Sequence, residues 1–356
     1  MEEQASQEIG NPAQQESEWP MGARKTVEVN GKRWEYLEYG NPDGIPILNV
    51  HGWIGASAEG NELLSKALCG EILDSPGLQN LEKNVPQGAE RVKDLVRSLK
   101  GKYRIISPQL PGFGHSEALR SPFLDNMADA LVDFQKVIGL DKSIFFGSSM
   151  GGVLAIKAAA RYPDAFRALV LQGTMAKPAD MIPLAYIGSR VTTLPPIKMA
   201  VEHSQFLQKK LRGIFVSNIQ KSKDFKLATP ENQELMTRDT EAAEPKTVLS
   251  TLRGIGSNLG KEIEEIEIPV VVLDGTAGDL VPIARSKDLA GRFFRRQKKS
   301  NRENLRENVA EGRVMYFQIA GVAGEHGHSV INSAPEEVAA LINKAIEYTH
   351  AGVTRS

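Results

Sequence analysis

The 356 residues carry 43 Lys plus Arg against 44 Asp plus Glu, a net charge of −1, so the overall balance calls for neither nucleic acid nor an anionic membrane surface. With 41% apolar and 24% charged residues, the chain can bury a sizeable core, as one large α/β domain with an insertion or as two domains. A single cysteine, Cys69, rules out an intramolecular disulfide and a cysteine-based metal site, and no apolar run approaches the roughly 18 residues of a membrane span.

In chain order, residues 1–24 are rich in Gln, Glu, Ser, Pro and Gly and read as a disordered tail. Their acidic, polar start (Met1-Glu2-Glu3-Gln4) resembles neither a secretory signal nor an Arg-rich transit peptide, so the expected location is by default cytoplasmic. Two alternating runs, 25–29 and 33–39, flank Asn30-Gly31, a hairpin signal. Continuous apolar runs follow at Ile45–Val50, Tyr103–Ser107, Ser143–Phe146, Ala168–Leu171, Val270–Leu273 and Val314–Phe317. Helical periodicity separates most of them, as at Asp125–Ile138 and Pro335–Tyr348, and a further helix is expected around Ala89–Leu99. Short β-rich runs alternating with helices predict a mostly parallel, doubly wound α/β sheet.

Two segments depart from that rhythm. Between Gly173 and Ile268 the chain has helical periodicity, for example over Met199–Ile214 and Thr229–Thr240, and no convincing β run. That predicts a helical cap at 175–265 inserted in a core of 25–174 plus 266–356. The stretch 292–306 is dense in Arg and Lys, but Glu303, Glu307 and Glu311 follow closely, so it reads as a solvated surface loop or helix.

The most informative segment is Gly147-Ser148-Ser149-Met150-Gly151-Gly152, between the run 143–146 and the helix-like Val153–Ala160. Strand, G-x-S-x-G turn and helix stand in the order of a nucleophile elbow. Glycines two before and two after the serine let the backbone reverse where a Cβ would clash. Four other motifs appear in order: His51-Gly52, the segment Pro108–Ser116, Gly275–Pro282 and Gly327-His328-Ser329. Together these resemble the α/β-hydrolase fold superfamily over residue 25 to the carboxyl terminus, specifically its serine hydrolases of esterase or lipase type with a helical cap.

The resemblance implies a Ser149–His328–Asp279 triad. A serine hydroxyl is a weak nucleophile unless a base takes its proton, which His328 would do before protonating the leaving group. Asp279 would fix the imidazole tautomer and stabilise its positive charge. His326, Glu325 and Asp274 are neighbouring alternatives; the Gly-His pair favours His328, and a loop position favours Asp279. By the same resemblance, the backbone N–H groups of Trp53 and Met150 form the oxyanion hole, and the Trp53 indole lines the pocket floor. His51 braces its loop by hydrogen bonds. Gln109 stands where Asp is commoner in this family, a position usually structural.

Ser149 argues against the aspartate-nucleophile epoxide hydrolases and haloalkane dehalogenases of this fold. The Trp53-Ile54-Gly55 loop lacks the patterns of carbon–carbon bond hydrolases and proline iminopeptidases. The expectation is therefore a carboxylesterase-like serine hydrolase cleaving a small or medium acyl ester or thioester through an acyl-enzyme. A receptor-type protein with slow turnover and a carbon–carbon bond hydrolase are the alternatives. The expected partner is a small-molecule ester substrate, with no nucleic acid and no transmembrane segment. No metal or organic cofactor is implied, because the triad supplies nucleophile, base and oxyanion donors.

Overall fold

A computed structural model of the chain describes residues 19–53, 56–177, 194, 196, 199–200, 203–222, 225–226, 230–255, 257–275, 283–300, 314–319 and 330–353. The first hairpin pairs β1 (Met21–Val29) with β2 (Lys32–Gly40), antiparallel, through Asn30 (φ 52) and Gly31 (φ 70). Both turn residues take the left-handed conformation that the Asn-Gly pair favours. The strand starts at Met21, inside the segment expected to be a disordered tail. Met21 pairs with Tyr39, and the Trp19 ring lies against Gly101. A distant ladder partner thus orders residues whose composition alone reads as disordered.

β3 (Ile45–Val50), β4 (Tyr103–Pro108), β5 (Ser143–Ser148), β6 (Phe166–Gln172), β7 (Val270–Gly275) and β8 (Val314–Ile319) complete an eight-stranded sheet. Its order is β1-β2-β4-β3-β5-β6-β7-β8, and it is parallel from β4 onward across the sheet. Parallel strands covered on both faces need apolar residues on both sides. The pleat shows it: Phe145, Leu169, Leu171, Val270 and Val272 join one buried cluster, whereas Ile144, Phe146, Val170, Val271 and Leu273 join the other. This is the mostly parallel, doubly wound sheet that the runs predict.

The long connection after β3 holds a 3₁₀ turn at Glu59–Asn61 and helices α1 (Glu62–Leu68), α2 (Pro76–Asn84) and α3 (Pro86–Arg97), more structure than the one expected helix. Ser75 caps α2 by accepting from Leu78 N–H at 3.2 Å, and Pro76 and Pro86 stand in the first turns of their helices, where a missing N–H costs nothing. α4 (Leu124–Val137) and α5 (Met150–Arg161) flank β5. Between β6 and β7 the described elements are all helical: α6 (Gln205–Lys221), α7 (Pro230–Ala242), α8 (Pro245–Ile255) and α9 (Gly260–Glu265). α6 is described from Gln205, where the Ser204 side chain accepts from Leu207 N–H at 3.3 Å, and Met199, Ala200 and His203 of the expected helical stretch are helical as well. The buried Lys157 ammonium joins Asp125 of α4 at 3.0 Å and Glu262 of α9 at 3.2 Å, tying the return from these helices to α5.

α10 (Ile283–Ser300), α11 (Val330–Ser333) and α12 (Pro335–Val353) follow β7 and β8. α10 contains the first part of the basic stretch. It buries Phe293 and pairs Arg292 and Arg295 with Asp288, so this part is a helix on the core. The stretch beyond Ser300 lies outside the described residues. No described helix is long and apolar enough to cross a membrane.

Candidate active site

β3, β5, β6, β7 and β8 run parallel side by side, so their carboxyl ends all lie at one edge of the sheet, the edge where ligands bind in open α/β sheets. Ser149 stands there, directly after β5, with φ 52 and ψ −112. For a non-glycine residue this backbone costs on the order of 1–3 kcal/mol and persists only where the surroundings impose it. They do so by name. Ser149 N–H donates to the Gln172 carbonyl at 2.7 Å, and its own carbonyl accepts from Gly152 at 3.0 Å and Val153 at 3.3 Å. Ser148 Oγ donates to Gln172 Oε1 at 2.6 Å.

The elbow glycines have separate duties. A Cβ on Gly147 would lie 2.5 Å from the Gly151 carbonyl, and one on Gly151 would meet the carbonyls of Val50 and His51, the latter at 2.8 Å. One on Gly152 would strike Thr174 just after β6, a requirement the G-x-S-x-G pattern does not contain. Gly151→Ala should therefore destabilise the protein by about 3 kcal/mol, because backbone atoms of β3 cannot rotate away. Thermal unfolding of the variant checks this, and an unchanged midpoint would refute the close approach.

The Gly52 backbone runs beside the serine: a Cβ there would lie 3.4 Å from Ser149 Cβ and 3.7 Å from Ala56 Cβ. His51 is fully buried and holds this loop. Leu110 N–H donates to its Nε2 at 3.1 Å, so Nε2 is unprotonated and Nδ1 donates to the Gly52 carbonyl at 2.8 Å. Burial lowers the imidazole to about 4, against which the Gly52 bond pulls upward. His51 is thus a neutral brace. Because it charges less readily folded than unfolded, its contribution is present above pH 6.5 and is lost as pH falls toward 4, by the order of 3 kcal/mol. Urea unfolding at pH 7 and pH 4.5 should show that slope in the wild type and a flatter one in His51→Gln; parallel slopes would refute it.

Gln109 completes the brace. Its Oε1 accepts from Ala58 N–H at 2.7 Å, pinning the far side of the same loop to the end of β4. Gln109 is therefore structural, as expected of that family position.

Trp53, expected at the pocket floor, makes its described side-chain contacts to the inserted helices. Its indole Nε1–H donates to Thr251 Oγ1 of α8 at 2.9 Å, and its ring meets Phe215 of α6 edge-on, 5.7 Å between centroids. The indole is held by the inserted helices and sits under a roof. Met150 is fully buried at the first position of α5, where a helix N–H has no carbonyl of its own turn to meet. Sequence reading missed Thr251, Phe215 and Thr174; all three act across tertiary contacts, and no local pattern marks them.

Asp279 and His328 lie outside the described residues, as do Glu325 and His326. In the chain, Asp279 comes four residues after the last residue of β7, and His328 two before the first of α11. Asp274 is fully buried within β7, and its Oδ1 accepts from Gly275 N–H at 3.0 Å. Burial first, and Asp274 second, push Tyr316 up to about 12. Burial drives the Cys69 thiol up to about 12, so it is no nucleophile. The described residues contain no group of three or more His, Cys, Asp or Glu that could hold a metal ion.

Comparison with known proteins agrees with this architecture. Haloalkane dehalogenase 2 of Mycobacterium tuberculosis is 30% identical over 122 residues, 33% of this chain and 42% of that protein. The pimeloyl-[acyl-carrier protein] methyl ester esterase of Shewanella woodyi is 41% identical over 69 residues, 19% of this chain and 25% of that protein. The chain thus spans less than half the length of these curated relatives. A thermophilic esterase from Thermogutta terrifontis superposes with a TM-score of 0.63 at 20% identity, covering 92% of this chain and 99% of that one. The family model for serine aminopeptidase, S33, matches residues 88–303, more than half of the chain, including the elbow and ending before His328. The chain belongs to the serine aminopeptidase, S33, family and has the α/β-hydrolase fold.

Proposed function

We propose that the chain cleaves a small or medium acyl ester or thioester through an acyl-enzyme on Ser149. The observation that carries this reading is the strained Ser149 backbone at the strand-end edge, with the Gly52 backbone alongside. A scaffold has no use for such strain; a nucleophile raised above the sheet does.

In this reading His328 takes the Ser149 proton as Oγ attacks the ester carbonyl carbon, and Asp279 holds the imidazole. The oxyanion is met by the N–H groups of Met150 and Trp53, each donor worth about 3–4 kcal/mol. The carbonyl re-forms as the alcohol or thiol departs with the His328 proton. Water, deprotonated by His328, then attacks the acyl-enzyme and releases the acid. The helices between β6 and β7 act as a cap: Thr251 and Phe215 hold the Trp53 side chain, so the cap fixes one half of the oxyanion hole. An ester is favoured over a haloalkane because the nucleophile is a serine, whose alkyl ether would not be turned over by water.

The test is labelling of the folded wild-type protein by a fluorophosphonate probe, followed by an acyl-ester series of rising chain length. Rapid labelling and hydrolysis of short or medium esters are expected. A folded protein that is not labelled would overturn the activated serine.

A further inference from the structure

We infer that the outward face of α6 is a docking surface for an anionic lipid surface. This goes beyond the ester reading and does not depend on it.

A helix of a globular protein normally buries one stripe. α6 runs for 17 residues, and none of those residues is buried. Its inner side is half-buried around Phe215, the residue against Trp53. The opposite side carries Phe206, Lys210 and Ile214, spaced four apart on one line of the helix. Phe206 is 65% exposed and Ile214 55%, and Leu207 lies exposed beside them. Nine large apolar side chains are exposed among the described residues, and five of them (Leu194, Met199, Phe206, Leu207 and Ile214) fall within residues 194–214. Single exposed apolar residues are ordinary; this concentration is not.

Charge says what covers the face. α6 carries Lys209, Lys210, Arg212 and Lys221 and not one carboxylate. None of its three lysines has an ion pair among the described residues, and the Lys210 ammonium rests 4.8 Å over the Phe206 ring. The acids Glu231 and Glu234 of neighbouring α7 line a cleft of about 400 Å³ against Glu59 and Glu62, on the core side. The whole-chain balance of −1 conceals this segregation.

Three occupants compete. A second copy of the chain would set these lysines against themselves across a two-fold axis. A folded acidic partner needs roughly 1,000 Å² or more of interface, and a ridge from Phe206 to Ile214 is only about 12 Å long. A lipid surface needs no such area. It accepts a few apolar side chains at the headgroup boundary while its negative charge attracts the lysines.

The experiment is co-sedimentation of the full chain with vesicles of phosphatidylcholine alone and of phosphatidylcholine mixed with phosphatidylglycerol. Binding is expected to the mixed vesicles only and should weaken as salt rises. Lys209→Glu/Lys210→Glu should lower the apparent vesicle affinity about 30-fold or more, and Phe206→Ser/Ile214→Ser should abolish it. Both variants should keep wild-type thermal stability and fluorophosphonate labelling, because none of the four residues touches the site. No binding to mixed vesicles, or binding that neither variant weakens, would overturn the inference. So would a concentration-dependent dimer in light scattering that Phe206→Ser/Ile214→Ser dissolves, which would assign the face to a second copy.

Discussion

Ser149→Ala is expected to lower ester hydrolysis by about 10⁵–10⁶-fold and to leave the protein folded. The loss is large because every proposed covalent step passes through one oxygen. The residual rate over water is what binding and oxyanion donors supply without a nucleophile. Folding should survive, since the hydroxyl makes none of the bonds that hold the elbow. Those are the Ser149 N–H to Gln172, the Ser149 carbonyl to Gly152 and Val153, and Ser148 to Gln172. Alanine meets the same φ of 52 that serine already accepts, so thermal stability should stay within about 1 kcal/mol of wild type. Initial rates on a short-chain ester, with circular dichroism on the same samples, decide the matter. A variant that is folded and retains more than about one hundredth of the activity would remove Ser149 from the chemistry.

His328→Ala should cost about as much, and the Ser149→Ala/His328→Ala double variant should be no worse than either single one. Nucleophile and base act as a unit, so removing the second partner takes away nothing that remains. His326→Ala should stay active, which separates the two histidines of the Gly324–Ser329 segment. The acid follows the same logic with a smaller effect: Asp279→Asn should lower turnover by about 10⁴-fold with the fold intact. Asp274→Asn should act differently. This residue is fully buried in β7 and accepts from Gly275, so its loss should lower stability before it lowers turnover. If Asp274→Asn were the stable, inactive variant and Asp279→Asn the active one, the acid would have to be reassigned to the strand.

The described geometry also bears on how such a site is kept in place. The loop after β3 is gripped at three points by different parts of the fold: His51 by Leu110, Ala58 by Gln109, and Trp53 by Thr251 and Phe215. The first two grips come from the end of β4, and the third from helices far along the chain. The oxyanion donor proposed on this loop must hold its position to a fraction of an ångström to count, and several independent tethers are how a surface loop achieves it.

What the amino-acid sequence determined by itself is whatever rests on neighbours along the chain. Asn30-Gly31 takes left-handed turn angles because of its own side chains. The runs at 45–50, 143–146 and 270–273 form two-sided buried strands because their apolar residues are contiguous. Ser149 stands in a sharp turn because Gly147 and Gly151 flank it. The Ser204 cap was equally legible in principle, being a local serine at a helix start. The tertiary structure alone decided the rest. Met21 is in a strand because Tyr39 is its ladder partner. Gln109 serves where Asp is commoner because its longer side chain reaches Ala58. Trp53 looks up at the inserted helices because Thr251, 198 residues away, supplies an acceptor for its indole N–H. Backbone preferences and strand or helix periodicity act over a few residues and are written in order along the chain. A hydrogen-bond partner brought in by folding leaves no local pattern to read.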